Sequence, residues 1–533
     1  MGFVFFFTSC ESYNNIEHNP SIVGSMIDSE EWYTDANDNL LVVNIENPIP
    51  NELNCKPYND LTKPLRPCTL EDINNDIDSE DAYEPILHVR FFTDTFATTT
   101  SAMNAVLKLK GNFSRTELQK SYSIKLDSKT DLFLHQRKFM LTKSQSDQSR
   151  IKNKLAFDLF KTIPNISSLK IQFMQLKINN TDYGIFSHIE SIRKEYLVNR
   201  GWNKDDNLYN AVNFLFSKIP EISLNSEGTP VNKFEFNKIL EIKNGKKQTK
   251  LLEMVDAIAS TSNIDNVISK YFNRENYLTW LAINLILNNK DTIQHNFYLY
   301  NPLYSNTFYF LPWDYDGAWS EEQYLGKDEY GISVWWRSQL HRKFLSVKKN
   351  RDDLYKMADI LREKYITDTF IQQKILDYED TVRPFQSVPP DNIDNSDSTW
   401  LSKSEQLWSL IPANIAMYKS VIGHPMPFYV EAEYVDSTLT ITWDKSVDLE
   451  GDKIVYDLIV SKDTNLSNHA TNILEIQGIE NINYSLDTNL TQGTYYIQVL
   501  SKEENNPSHY QISYEKPEID GKVLYGILPF EVK

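Results

Sequence analysis

Cysteine is scarce in this sequence, with three in 533 residues, no CxxC and no Cys/His spacing of the kind that holds zinc. That excludes a disulfide-built scaffold and a structural zinc module. An excess of positive charge is missing as well: 54 basic residues face 73 acidic ones, for a formal charge of −19. A general nucleic-acid binder needs a basic face to release counterions from phosphates, so that class is disfavoured. No stretch approaches the ~20 consecutive apolar residues of a membrane span. HExxH and GxSxG are absent, which ranks a hydrolase last among the functions to consider.

What is present is globular material. Hydrophobic residues make up 41% and aromatics 13%, and the length calls for two to four domains. In MGFVFFFTSC an apolar run from Phe3 to Phe7 meets Thr8 and Ser9 just before Cys10. It reads as the end of a bacterial lipoprotein signal with Cys10 as the lipidated residue, although no basic region precedes it. The expectation is an exported, surface or outer-membrane lipoprotein, touching membrane only through that anchor. Cys55 and Cys68 share one loop-like stretch: they pair if the chain is exported and stay free thiols if it is cytosolic.

Residues 11–85 are polar and only weakly periodic, and read as a tether and irregular lead-in. In DINNDIDSEDAYE acids recur at alternate positions, but Ile77 stands where a calcium loop needs Gly and Tyr83 where it needs Glu. A solvated acidic loop is the reading. From Ile86 the texture changes to alternating strands, ILHVRFF, AVLKLKG, SYSIKLD and RKFMLTK, interrupted by a helical segment at Ser149–Ile163. Residues 86–190 therefore read as an antiparallel sheet with one inserted helix, and residues 191–422 as mainly helical. Trp335 and Trp336 are expected in that helical core. Residues 428–533 read as a β-sandwich of immunoglobulin or fibronectin-III type, with Trp443 and Tyr456 inside it. The fold class is α+β followed by an all-β unit.

The chemistry concentrates in LILNNKDTIQHNFYLYN and FYFLPWDYDGAWS. An apolar helix ends and offers Asp291, then Asn296 five residues on; two short strands follow, and the second delivers Asp314 and Asp316. A loop Asp, an Asn at this spacing, a hairpin and a metal-binding Asp is the order of a protein kinase active site. Asp291 would accept the proton of an attacking hydroxyl. Asn296 and Asp314 supply hard oxygen ligands, which suit Mg²⁺ or Mn²⁺. Lys125, on a strand between Ile124 and Leu126, is the candidate cation for the phosphates. KGNFSR adds a turn with Gly111 and Arg115 but no GxGxxG.

KLKGNFSRTELQKSYSIKL, YGIFSHIE, DTIQHN and PWDYDG, in this order across about residues 86–420, resemble the CotH family of spore-coat-protein-H-like kinases. The resemblance implies an atypical two-lobed kinase fold, with an N-lobe of about 86–190 and a C-lobe of about 191–422. It implies ATP and Mg²⁺ or Mn²⁺ as cofactors, and phosphate transfer to a protein hydroxyl, the chain itself included. It makes Asp291 the catalytic base, puts Asn296 and Asp314 on metal, and sets Lys125 and Arg115 on the phosphates. Asp316 becomes a second metal contact or an orienter. Glu190, at the end of a strand before the helical half, would lie at the hinge near the adenine. Lys110 and Phe113 depart from the family's turn, which carries Arg and a small residue there. A catalytically silent surface-binding, adhesion or coat-assembly protein on the same fold is the alternative.

Overall fold

A computed structural model describes residues 40–46, 69–77, 85–99, 101–111, 113–320, 331–393, 396–467 and 469–532. Cys10, Cys55 and Cys68, with the expected lipid anchor and disulfide, lie outside the described residues. No helix among them is long and apolar enough to cross a membrane.

The first unit is a closed barrel of strands β1 (Leu41–Glu46), β2 (Leu87–Phe92), β3 (Ala105–Leu109), β4 (Tyr122–Leu126), β5 (Lys138–Thr142), β6 (Ile171–Ile178) and β7 (Thr181–Glu190), in the order β1-β2-β3-β4-β5-β7-β6. Alternation decides what faces inward: Val43, Val89, Leu107, Ile124 and Phe139 fill the interior. The antiparallel sheet expected from residues 86–190 is part of a closed barrel. β1 lies inside the stretch that reads as polar lead-in, and it pairs in parallel with β6 (Val43 against Leu176), a contact far along the chain that local pattern cannot announce. A short helix α1 (Leu70–Asn74), also from that stretch, is fixed by a capping box in which Thr69 and Asp72 exchange hydrogen bonds.

Between β5 and β6 runs α2 (Lys152–Phe160), buried along its length. It is pinned at its start by Asp147, whose carboxylate accepts from the amides of Ser149 and Lys152. The outer face of β5 and β7, carrying Met140 and Ile189, joins the large core of the helical half. After α3 (Lys194–Asn199) a second sheet forms from β8 (Asn207–Ala211), β9 (Leu240–Asn244), β10 (Phe297–Asn301) and β11 (Tyr309–Pro312), ordered β11-β10-β8-β9. Helices α4 (Lys233–Ile239), α5 (Thr249–Ser260), α6 (Ile264–Tyr271) and α7 (Arg274–Ile286) surround it. The α7 helix is buried on every side from Asn276 to Ile286 because it runs through the core, where Trp280 stacks on Phe310 at 4.4 Å. Helices α8 (Gln339–Leu345), α9 (Lys348–Lys364), α10 (Asp368–Gln386), α11 (Asp397–Ser409) and α12 (Ile411–Ser420) complete the half, with Trp335 and Trp336 buried among them.

The loop after α10 returns to the barrel. Asp391 is fully buried there, 2.5 Å from Lys143 Nζ, and accepts from the amide of Ile185. The C-terminal unit consists of two facing sheets: one of Val430–Val435, Thr438–Trp443 and Asn483–Asp487, the other of Asn472–Ile479, Ile454–Ser461, Gly493–Glu503 and Tyr510–Ile512, with a last strand, Ile527–Val532, paired to Gly493–Glu503; Trp443, Tyr456 and Val499 fill the space between them. It sits against the helical half: Arg351 donates to Leu449 O (3.0 Å), and the Arg337 guanidinium lies over the Tyr514 ring at 4.6 Å.

Candidate functional site

The end of α7 and the β10–β11 hairpin bring the paired aspartates of the sequence together. After α7 the chain makes one short turn, in which Asn289 Oδ1 accepts from the amide of Asp291. The Asp291 carboxylate is then held on both oxygens: Asn296 Nδ2 donates to Oδ2 at 2.5 Å, and His295 Nε2 lies 2.7 Å from Oδ1. Asn296 spends its amide nitrogen on Asp291, and its amide oxygen is an acceptor of the kind a hard cation takes. Asn296 (φ +57°) and Asp314 (φ +55°) both sit in the left-handed region. Strain of that kind persists only where the surroundings impose it, and it collects at functional sites.

The second strand of the hairpin sets Asp314 and Asp316 beside Asp291. A Cβ on Gly317 would lie 3.2 Å from the Asp291 carboxylate, so a glycine lets the two segments close. Asn153, on the first turn of α2, accepts from the amide of Tyr315 at 2.6 Å and sits 3.4 Å from Asp314 Oδ1. The barrel contributes one cation: Lys110 Nζ, at the turn after β3, is 3.6 Å from Asp314 Oδ2. Asp316 is half-buried, and its carboxyl is raised above the ordinary carboxylate range by desolvation first and then by Asp314, with Asp147 and Asp291 adding and Lys110 opposing. The donors are all oxygen, and the charges of Asp314 and Asp291 raise the cost of ionising Asp316. Such a set suits a hard divalent cation, and Asp314, Asp316 and the Asn296 oxygen are the residues that fit one.

Asp291, Asn296, Asp314 and Asp316 thus form one site. The other three residues singled out in the sequence do not join it. Arg115 is buried with its guanidinium on Asp76 (2.7 Å) and on Gly111 O, so it ties the turn to α1 rather than reaching phosphates. Glu190 is fully buried in a two-pronged pair with Arg200 (2.9 and 2.8 Å) and also accepts from the amide of Lys170, which keeps it from an adenine. Lys125 is exposed on the outer face of β4, beside Lys138 of β5. The sequence reading passed over Asn153, Asp147 and Gly317 as site residues. Asp147 carries a cap signal, D-x-S, before a helix; Asn153 carries none, because its role depends on how α2 packs.

An α+β chain with three aspartates and an asparagine gathered on a helix–loop–hairpin is the class these observations define. The family profile described as CotH kinase protein matches residues 107–414, more than half of the chain, and the chain belongs to that family. It is 24% identical over 338 residues to the inner spore coat protein H of Bacillus subtilis (strain 168), a match covering 61% of this chain and 87% of that protein. Solved structures with some likeness include the twitchin kinase region from C. elegans, at 10% identity and a TM-score of 0.17 over 73% of this chain and 70% of that one. Another, described as FN3tt mut, has 20% identity and a TM-score of 0.12 over 16% of this chain and 86% of that one. At those scores neither carries an argument about the fold.

Proposed function

We propose that the chain is an extracytoplasmic protein kinase that transfers the γ-phosphate of ATP to a protein hydroxyl, its own included. The observation that carries this reading is the Asp291 carboxylate, fixed by His295 and Asn296 and set against Asp314 and Asp316. A carboxylate oxygen has two lone pairs, so Asp291 keeps acceptor capacity for a hydroxyl proton while both neighbours hold it still. The acceptor oxygen bonds to the γ-phosphorus, the bond to the β–γ bridging oxygen of ATP breaks, and the hydroxyl proton goes to Asp291. Asp314, Asp316 and Asn296 would hold a divalent cation, Mg²⁺ or Mn²⁺, which would neutralise charge on the phosphates. Lys110 is placed to add a positive charge from the barrel side, and Asn153 fixes the backbone that presents Asp314 and Asp316.

In this reading the barrel with α2 is the N-lobe and the helical half the C-lobe, and the C-terminal unit is a fibronectin-III-like sandwich. Its Tyr456 hydroxyl, accepting from the amide of Ser446, and its inward Trp443 support that assignment. Export with a lipid on Cys10 belongs to the same proposal. A second reading, a coat-assembly or adhesion role without transfer, draws on the name of the Bacillus relative, a spore coat protein, and on the docking of the C-terminal unit against the helical half. Incubation with γ-labelled ATP, Mn²⁺ and the full chain separates the two. Label should enter the protein, and Asp291→Ala should abolish the incorporation while nucleotide still binds. Undiminished labelling in the variant would remove Asp291 from catalysis.

A further inference from the structure

The C-terminal unit carries a group of carboxylates that the transfer chemistry does not use. Asp448 and Asp452 lie in the loop DLEGD, between the strands Thr438–Trp443 and Ile454–Ser461, and Glu503 ends the strand Gly493–Glu503. One carboxylate oxygen from each lies within 4.8 Å of the other two. No lysine or arginine among the described residues pairs with any of the three. Lys453, next in the chain, turns its amine to Glu480 (2.9 Å) and Glu504 (2.8 Å) instead. Three like charges this close repel unless something positive sits among them.

The group differs from an ordinary acidic turn in what its buried oxygens lack. Asp448 Oδ1 accepts from the amides of Glu450 (2.8 Å), Gly451 (2.7 Å) and Asp452 (3.0 Å), which fixes the carboxylate. Its other oxygen, Oδ2, is buried and accepts no hydrogen bond. An oxygen in that state carries the full cost of desolvation, and a bound cation offsets it. Glu503 is only 6% exposed. His509 Nδ1 lies 2.9 Å from its Oε1, and none of the described residues donates to Oε2. The buried side of the group thus offers two acceptors without donors, while Asp452 is exposed and leaves a way in from solvent.

We propose that Asp448, Asp452 and Glu503 form a calcium site in the C-terminal unit. The donors are all oxygen, with no imidazole or thiol in the set, which selects a hard cation over zinc or copper. Oxygens on opposite sides of an ion bound at about 2.4 Å are about 4.8 Å apart, so these three fit Ca²⁺ with little movement. Ca²⁺ also accepts an irregular shell completed by water, whereas Mg²⁺ spans only about 4.2 Å and demands a near-regular octahedron. The same loop docks on the helical half: Arg351 donates to Leu449 O, and the Leu449 side chain packs on the large core. The ion would brace that junction by tying the loop to the end of the strand Gly493–Glu503. The proposal stands apart from the transfer reading, since it needs neither Asp291 nor a nucleotide.

The test is calorimetric titration of CaCl₂ into the full chain carrying Asp314→Asn, which removes a carboxylate from the aspartate site. Saturable binding of about one ion per chain is expected, with a melting temperature that rises with Ca²⁺. Adding Asp452→Asn should weaken the binding by roughly tenfold or more and remove the rise, as loss of a charged ligand does. Adding Glu503→Gln should do the same; should that chain fail to fold, Asp452→Asn decides, because Asp452 is exposed. Asp444→Asn, at an exposed acid outside the group, should leave the affinity within about twofold. Absence of saturable binding overturns the proposal, and so does unchanged affinity in the Asp452→Asn chain. Calcium bound by the wild type but lost with Asp314→Asn alone would put the ion at the aspartate site. Equal affinity for Mg²⁺ would overturn the calcium assignment. Failure of the transfer reading shows elsewhere, in metal-dependent ATP binding, and leaves these outcomes unaffected.

Discussion

Asp291 has little room to move. Two neighbours hold its carboxylate, and Gly317 closes against it, so the residue that matters most beside it is one with no side chain. A methyl at Gly317 would meet the Asp291 carboxylate at 3.2 Å, tighter than ordinary van der Waals contact, and one of the two must shift by a few tenths of an ångström. Gly317→Ala should therefore lower the rate of transfer by roughly tenfold, since small misplacements of a catalytic group are costly. Nucleotide affinity and melting temperature should stay near those of the wild type; a steady-state rate equal to the wild type's would show that Asp291 tolerates the shift. The spacing D-x-x-x-x-N and the D-x-D box were legible in the chain because their geometry is local: a helix end, a turn and a hairpin fix all four side chains. Arg115 and Glu190 were not, because a buried charge takes whatever partner the fold brings. For them the partners were Asp76 and Arg200, and the first lies on the polar lead-in where no structure was expected.

The elements were easier to read than their closure. Alternation in LHVRFF, AVLKL and YSIKL announced strands, and the apolar run NYLTWLAINLI announced α7. The parallel β1–β6 contact that closes the barrel, and the return of the segment after α10 to β7, were silent in the sequence, since each joins residues far apart. The second of these depends on Gly184. That residue has φ +77°, and a Cβ there would fall 1.7 Å from Asp391 Oδ2 and 3.0 Å from Lys143 Nζ. Gly184→Ala should dislodge Asp391 from its buried pair with Lys143. The expected loss is about 3–5 kcal/mol, the cost of leaving a buried charge without its partner. Urea unfolding measures it; a midpoint equal to the wild type's would mean that the loop after α10 does not hold the barrel.

At the scale of the molecule, stability should respond to pH through two buried histidines. His188, inside the barrel, and His341, against the Tyr277 hydroxyl at 2.7 Å, are fully buried, and burial pushes both down to about 3. Each imidazole is neutral in the folded chain, while the unfolded chain takes up protons near the ordinary value of about 6.5. The stabilising effect is complete above pH 6.5 and is lost progressively as pH falls toward 3. Its slope approaches about 1.4 kcal/mol per pH unit for each histidine. Between pH 6.5 and 5, before ordinary carboxylates titrate, His341→Gln should flatten the fall in melting temperature; an unchanged slope would contradict the assignment. The barrel, the helical half and the C-terminal unit are joined by buried contacts at both junctions, so the aspartate site sits in a continuous frame. What the frame is for rests on whether those aspartates hold a cation against a nucleotide. The measurement that addresses this most directly is calorimetric titration of ATP into the full chain, with and without Mg²⁺ or Mn²⁺, for the wild type and for Asp314→Ala. Binding that requires the metal and is weakened at least roughly tenfold by Asp314→Ala is the predicted result. Binding indifferent to metal, or equal in the two proteins, would contradict it.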